Sequence, residues 1–123
     1  MPELTRPQRW SKGALDRILA RKGKDDASKY RTLCMKMPTL IHQAGLVQAV
    51  VFMLSREADI GKRFVNDLGA VHSDLGAADK LLKRIQEAQL PDYMALTHEI
   101  SQLSLWFRRF AQIELEPENG GTK

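Results

Sequence analysis

KMPTLIHQAGLVQAVVFML, residues 36–54, is the most apolar passage of this 123-residue chain, yet it holds a proline and a glycine. Its apolar residues cover most sides of a helical wheel, the pattern of a helix enclosed by others. Pro38 removes a backbone donor and crowds the turn before it, so it is expected to end or kink one helix. The next helix is then expected from about Thr39 to Arg56. Gly45, at ~1 kcal/mol in helix propensity, suits a place where a neighbouring backbone comes close. Almost every other segment is also helical in pattern, not alternating, and β-branched residues cluster only at 47–51, so an all-α fold is expected, a compact single-domain bundle of about six helices.

The flanking sequence supplies the remaining helices. Thr5 and Gln8 fit a capping box with Pro7 in the first turn, opening a helix to about Arg21 with Gly23 as a stop. Asp25 or Asp26 is placed to cap a second helix, ASKYRTLCMKM, ahead of Pro38. Asp59 is placed to cap a fourth, IGKRFVNDLGAVH, and Asp74 a fifth, LGAADKLLKRIQEAQ, with Gly69 and Gly76 loosening their ends. Pro91 suits the first position of a sixth helix reaching Glu114. The expected organisation is one bundle domain over residues 1–114 and a flexible tail over 115–123, since EPENGGTK has nothing to bury.

The formal charge of +4 is unevenly spread. Residues 1–36 carry ten Lys/Arg against four Asp/Glu, whereas residues 37–113 carry eight of each. Basicity therefore belongs to the N-terminal third, where it can attract phosphates. The lone Cys34 allows no internal disulfide, and MPELTRPQRW lacks the apolar run of a secretory signal, so a cytoplasmic protein is expected. The longest unbroken apolar run, Ala49 to Leu54, falls far short of the roughly 20 residues a membrane span needs.

Two helices have informative wheels. On the first, Ala14, Leu15, Ile18 and Leu19 turn inward, while Arg6, Arg9, Arg17, Arg21 and Lys24 gather on the opposite arc with Trp10 at its edge. That arc could track several phosphates, with Trp10 as a lid on the core or a platform for a base. Lys62 with Arg63 and Lys83 with Arg84 add cationic pairs further on. On the last helix, Leu96, Ile100, Leu103, Phe107 and Phe110 form one seam, with Trp106 and Ile113 on its shoulder. Met94, Leu105, Arg108 and Arg109 point the other way, a mixed apolar and cationic face suited to contact with another protein.

Catalytic constellations do not emerge. His42, His72 and His98 stand apart from one another in sequence, and none has a partner at metal-ligand spacing. Cys34 sits between Leu33 and Met35, a setting of a small buried hydrophobe. Phosphate-cradling and nucleophile-elbow motifs are missing. No enzyme, cofactor, metal site or small-molecule substrate is expected. The stretch ADIGKRFVNDLGAVHSDLGAADKLLKRI has the rhythm of a helix, a glycine-containing turn and a second helix, so a DNA-binding regulator is the alternative reading.

Two blocks resemble a known family. KYRTLCMKMPTLIHQAGLVQAVVFMLS is similar to its pattern of an aromatic-bearing helix followed by Pro, Ile, Gly-Leu and Phe, here Tyr30, Pro38, Ile41, Gly45, Leu46 and Phe52. YMALTHEISQLSLWFRRFAQ is similar to its closing helix, here Tyr93, Thr97, Glu99, Trp106, Arg109 and Ala111. The family is the small all-helical subunit, counted fifth, of the Cmr complex, the type III-B CRISPR RNA-targeting effector. The resemblance implies a scaffold: copies stacked along an inner filament, beside backbone subunits that hold guide RNA, lining the groove where target RNA pairs. It also implies that target cleavage belongs to the backbone subunit. Cationic faces would then meet the RNA backbone and mixed faces neighbouring copies, with sequence recognition left to base pairing.

Overall fold

The computed structural model describes residues 3–56, 58–73 and 78–117, and among them the chain forms six helices and no strand. They are α1 (Arg6–Arg21), α2 (Ala27–Ala44), α3 (Leu46–Leu54), α4 (Ala58–Ser73), α5 (Ala78–Glu87) and α6 (Leu90–Glu114). α1 opens on the expected capping box. The Thr5 hydroxyl accepts from the Gln8 amide at 3.2 Å, and the Gln8 side chain accepts from the Thr5 amide at 2.7 Å. Pro91 stands in the first turn of α6, where its missing N–H costs nothing.

The junction in the apolar passage lies elsewhere than expected. α2 runs through the buried Pro38 and stops at Gly45, so the central helix does not begin at Thr39. Proline here deprives only the Cys34 carbonyl of a donor, and its ring is enclosed by the core. Gly45 adopts φ 89° and ψ 163°, a conformation that side-chain-bearing residues rarely take, and this fixes the break there. A Cβ at Gly45 would meet only the Tyr93 hydroxyl, at 3.8 Å, so no backbone presses on it. The close approach occurs at Gly61, whose Cβ would fall 1.8 Å from the Met53 carbonyl oxygen, where α4 crosses α3.

α2 packs most extensively on α6, α1 lies across α6 and α4, and α4 also touches α2, α3 and α5. An edge-to-face series crosses the core, Tyr30 to Phe64 at 5.6 Å and Phe64 to Phe107 at 5.9 Å between centroids. The α6 seam is buried at Leu96, Ile100, Leu103 and Phe107, and its register adds Ser104 and Ala111. Ile113 is 66% exposed, not on the shoulder of the seam, because it lies roughly a quarter-turn round from Leu103. Leu19 is 45% exposed, against expectation. The buried stripe of α1 is narrow, only Trp10, Ala14 and Ile18.

Four local expectations shift. Asp59 stands inside the first turn of α4 and does not cap it. Gly69 is a buried residue inside α4, which continues to Ser73. Asp74 and Gly76 lie outside the described residues. Asp26 is the N-cap of α2 but makes no side-chain cap bond, because its carboxylate is held by Arg21. Leu115 is buried, so the core reaches one residue past α6, while 118–123 of the expected tail lie outside the described residues.

Candidate nucleic-acid and subunit interfaces

The four arginines of α1 stand in four environments. At its start, the Arg6 guanidinium lies 5.1 Å from the Trp10 ring centre and 3.7 Å from a Glu99 carboxylate oxygen. Trp10 is buried, 5.7 Å from the His72 ring, and so is a lid on the core and no free platform. His72 is not solitary: its Nε2 lies 2.8 Å from Glu99 and its Nδ1 2.9 Å from Ser73. Arg6, Trp10, His72 and Glu99 thus join α1, α4 and α6. Their separation in sequence offers no periodic signal that could have grouped them.

Further along, Arg17 reaches across to α4 and bonds the Asp67 carboxylate at 3.2 Å. Asp67 is buried and also accepts from the hydroxyl of fully buried Tyr30. Burial pushes the Asp67 carboxyl above its ordinary range, opposed by the Tyr30 hydrogen bond and by the charges of Arg17, Arg63 and Arg21. Burial likewise pushes Tyr30 well up, aided by nearby Cys34 and Asp67, and pushes the Cys34 thiol well up, aided by Asp67. Cys34 is therefore held as an inert thiol. Sequence reading passed over Asp67, whose only mark was a carboxylate in the otherwise apolar face of α4.

Arg21 is drawn onto Asp26 at 2.9 Å and only 14% of its side chain is exposed. Arg9, by contrast, is exposed and among the described residues bonds only the Leu4 carbonyl, at 3.1 Å. Arg9 and Arg17 border a shallow groove of about 450 Å³ between α1 and α4, floored by Gly13 and Val71. A Cβ at Gly13 would meet Val71 at 2.8 Å, so glycine lets this seam close. Lys62 and Arg63 are exposed on α4. The structure therefore brings Arg9, Arg17 and Arg63 to the α1–α4 side, while Lys24 is exposed in the turn after α1. Lys83 and Arg84 stand apart on α5, with Arg84 3.2 Å from Asp92.

On α6, Met94 is 62% and Leu105 47% exposed, and Leu90, unmarked by sequence reading, is 68% exposed. At 100° per residue these three and Arg108 share one side of the helix, with exposed Arg109 at its edge. The N-terminal part of the stripe borders a groove of about 510 Å³ against α2, with His42 and His98 on its rim. Tyr93, beneath it, accepts from the Val47 amide at 3.3 Å and so ties α6 to the break at Gly45. Among the described residues, no cluster of three or more His, Cys, Asp or Glu is arranged to hold a metal. No described helix is long and apolar enough to cross a membrane.

The family model of CRISPR-associated protein (Cas_Cmr5) matches residues 6–114. The CRISPR system Cmr subunit Cmr5 of Thermus thermophilus is 37% identical over 114 residues, which are 91% of this chain and 97% of that one. The X-ray structure of a CRISPR-associated Cmr5 family protein from Thermus thermophilus is similar with a TM-score of 0.88 at 34% identity, covering 93% of this chain and 100% of that one.

Proposed function

The chain belongs to the CRISPR-associated Cas_Cmr5 family, and from that premise we propose that it is a non-catalytic structural subunit of a Cmr, type III-B, CRISPR effector. In this reading copies stack in the inner filament of a cytoplasmic complex, beside the backbone subunits and along the guide RNA–target RNA duplex. The α6 stripe of Leu90, Met94, Leu105, Arg108 and Arg109 meets protein. That stripe is the observation that carries the proposal: the longest helix leaves three large apolar side chains exposed on one side, as partner-binding surfaces do.

The RNA-facing side is assigned to α1 and α4, where the exposed Arg9 and Arg63 supply cations beside the Arg17–Asp67 pair. Arg6, Arg17, Arg21, Lys24, Lys62, Lys83 and Arg84 are secondary candidates, since Arg6, Arg17, Arg21 and Arg84 already face carboxylates and Lys24, Lys62 and Lys83 lie off this side. Contacts to phosphate and duplex shape are sufficient where base pairing reads sequence. Titration with labelled RNA duplex over a range of salt tests the assignment. Affinity should fall with a slope of about 0.9 per neutralised phosphate in log affinity against log salt. Replacing Arg9 and Arg63 with glutamine should lower the total slope. Salt-independent binding, or tight selective binding to a DNA site, would reject it.

A further inference from the structure

A second groove, of about 410 Å³, lies where α2 meets α3, away from every residue assigned above. Its lining is Met35, Lys36, Thr39, Leu40, Gln43 and Phe52, with no acidic member. The Phe52 ring is partly buried against the core, so its position is set by packing. Two cations hover at it: Lys36 Nζ is 6.0 Å and the Arg56 guanidinium 5.3 Å from the ring centre. Lys36 and Arg56 are both exposed and enter no ion pair among the described residues. A cation held loosely at an exposed ring gains little there, so both are available to an anion.

We propose that this groove is a stacking site for one unpaired base of single-stranded RNA. Phe52 supplies the face, Lys36 and Arg56 swing off the ring to take the neighbouring phosphates, and Thr39 and Gln43 offer hydrogen-bonding groups to the base edge. The chemistry favours this occupant on three counts. A purely apolar partner would leave two cations desolvated and unpaired. A base carries its own π-face together with an anionic link on either side, matching a fixed ring flanked by mobile cations. A duplex cannot use the site, because its bases are already stacked on one another.

The inference rests on the reading that the chain works against RNA, and its test separates the two. The full-length chain is titrated with a short single-stranded oligoadenylate carrying one 2-aminopurine and, in parallel, with an RNA duplex. Binding should change the 2-aminopurine emission, as the base exchanges its adenine neighbours for the Phe52 ring. Phe52→Leu, checked for folding by circular dichroism, should weaken single-strand binding by roughly 5- to 150-fold and leave duplex binding unchanged. Lys36→Gln and Arg56→Gln, both surface changes, should each lower the single-strand salt slope by about 0.7. They keep the test decisive if the Phe52 variant does not fold. Unchanged emission, or single-strand affinity indifferent to all three changes, overturns the site while duplex binding persists. Failure of both RNAs to bind overturns the site and the reading beneath it.

Discussion

Replacing Gly61 with alanine should unseat α4. The new Cβ would lie 1.8 Å from the Met53 carbonyl oxygen, 3.0 Å from the Met53 carbonyl carbon and 3.3 Å from the Arg56 carbonyl oxygen. All three obstacles are backbone, so no rotamer change relieves them. Restoring even a 3.0 Å separation from the nearest requires α3 and α4 to part by 3.0 − 1.8, about 1.2 Å. The interior beside this contact is filled by Phe64, Val65 and Leu68, all fully buried, and it cannot follow without opening voids. Overpacking usually costs about 1–3 kcal/mol, and backbone obstruction belongs at the upper end. Alanine recovers about 1 kcal/mol in helix propensity, leaving a loss of about 2 kcal/mol. For a chain of this length that lowers the thermal midpoint by roughly 8 °C. Urea and thermal unfolding followed by circular dichroism measure it. A midpoint equal to that of the parent would refute the close crossing of α3 and α4.

The Asp67 pocket makes a pH-dependent prediction with a definite sign. Its folded pKa is raised above the unfolded value by burial, so the folded state binds more protons in that window. Stability should therefore fall as pH rises from about 4 towards the folded value. The difference in unfolding free energy between parent and Asp67→Asn should shrink accordingly, and a flat or rising difference would contradict it. Above about pH 10 the raised Tyr30 pKa should produce a further loss that Tyr30→Phe abolishes, as read from alkaline urea titrations. Arg17→Gln should cost about 1–2 kcal/mol in urea unfolding, between the exposed and buried limits for ion pairs, because Arg17 is 46% and Asp67 9% exposed. Met94→Lys with Leu105→Glu should leave unfolding within about 0.5 kcal/mol of the parent yet prevent co-assembly in gel filtration. Normal incorporation would remove the α6 stripe from the interface.

Much of the bundle was legible because helix punctuation is local. The Thr5–Gln8 capping box and Pro91 act within one turn, and both stand where the sequence puts them. The α6 seam was legible for the same reason, since its burial follows a helical period. Pro38 misled because a proline's local cost of a few kcal/mol is outweighed when its ring is enclosed, whereas Gly45 records a φ that no pattern of hydrophobicity reveals. The working surface was harder to read. Helical wheels found the exposed arc of α1 but not that Arg17 and Arg21 lean into carboxylates 50 and 5 residues away. His72 and Glu99 meet only through the packing of α4 and α6, and Leu90 precedes Pro91, where no periodic signal had yet begun. Charge pairing and exposure depend on the tertiary fold, so they could not be read off any single helix.

We propose that the outer faces of this chain hold RNA and neighbouring subunits in register. The most direct test is to recover a tagged copy from its own cells and identify what accompanies it by mass spectrometry and RNA sequencing. The account predicts the other subunits of a Cmr complex and short guide RNAs, released together when Met94 and Leu105 are replaced by charges. Recovery of the chain free of RNA and of those subunits, or bound to a DNA sequence alone, would contradict it.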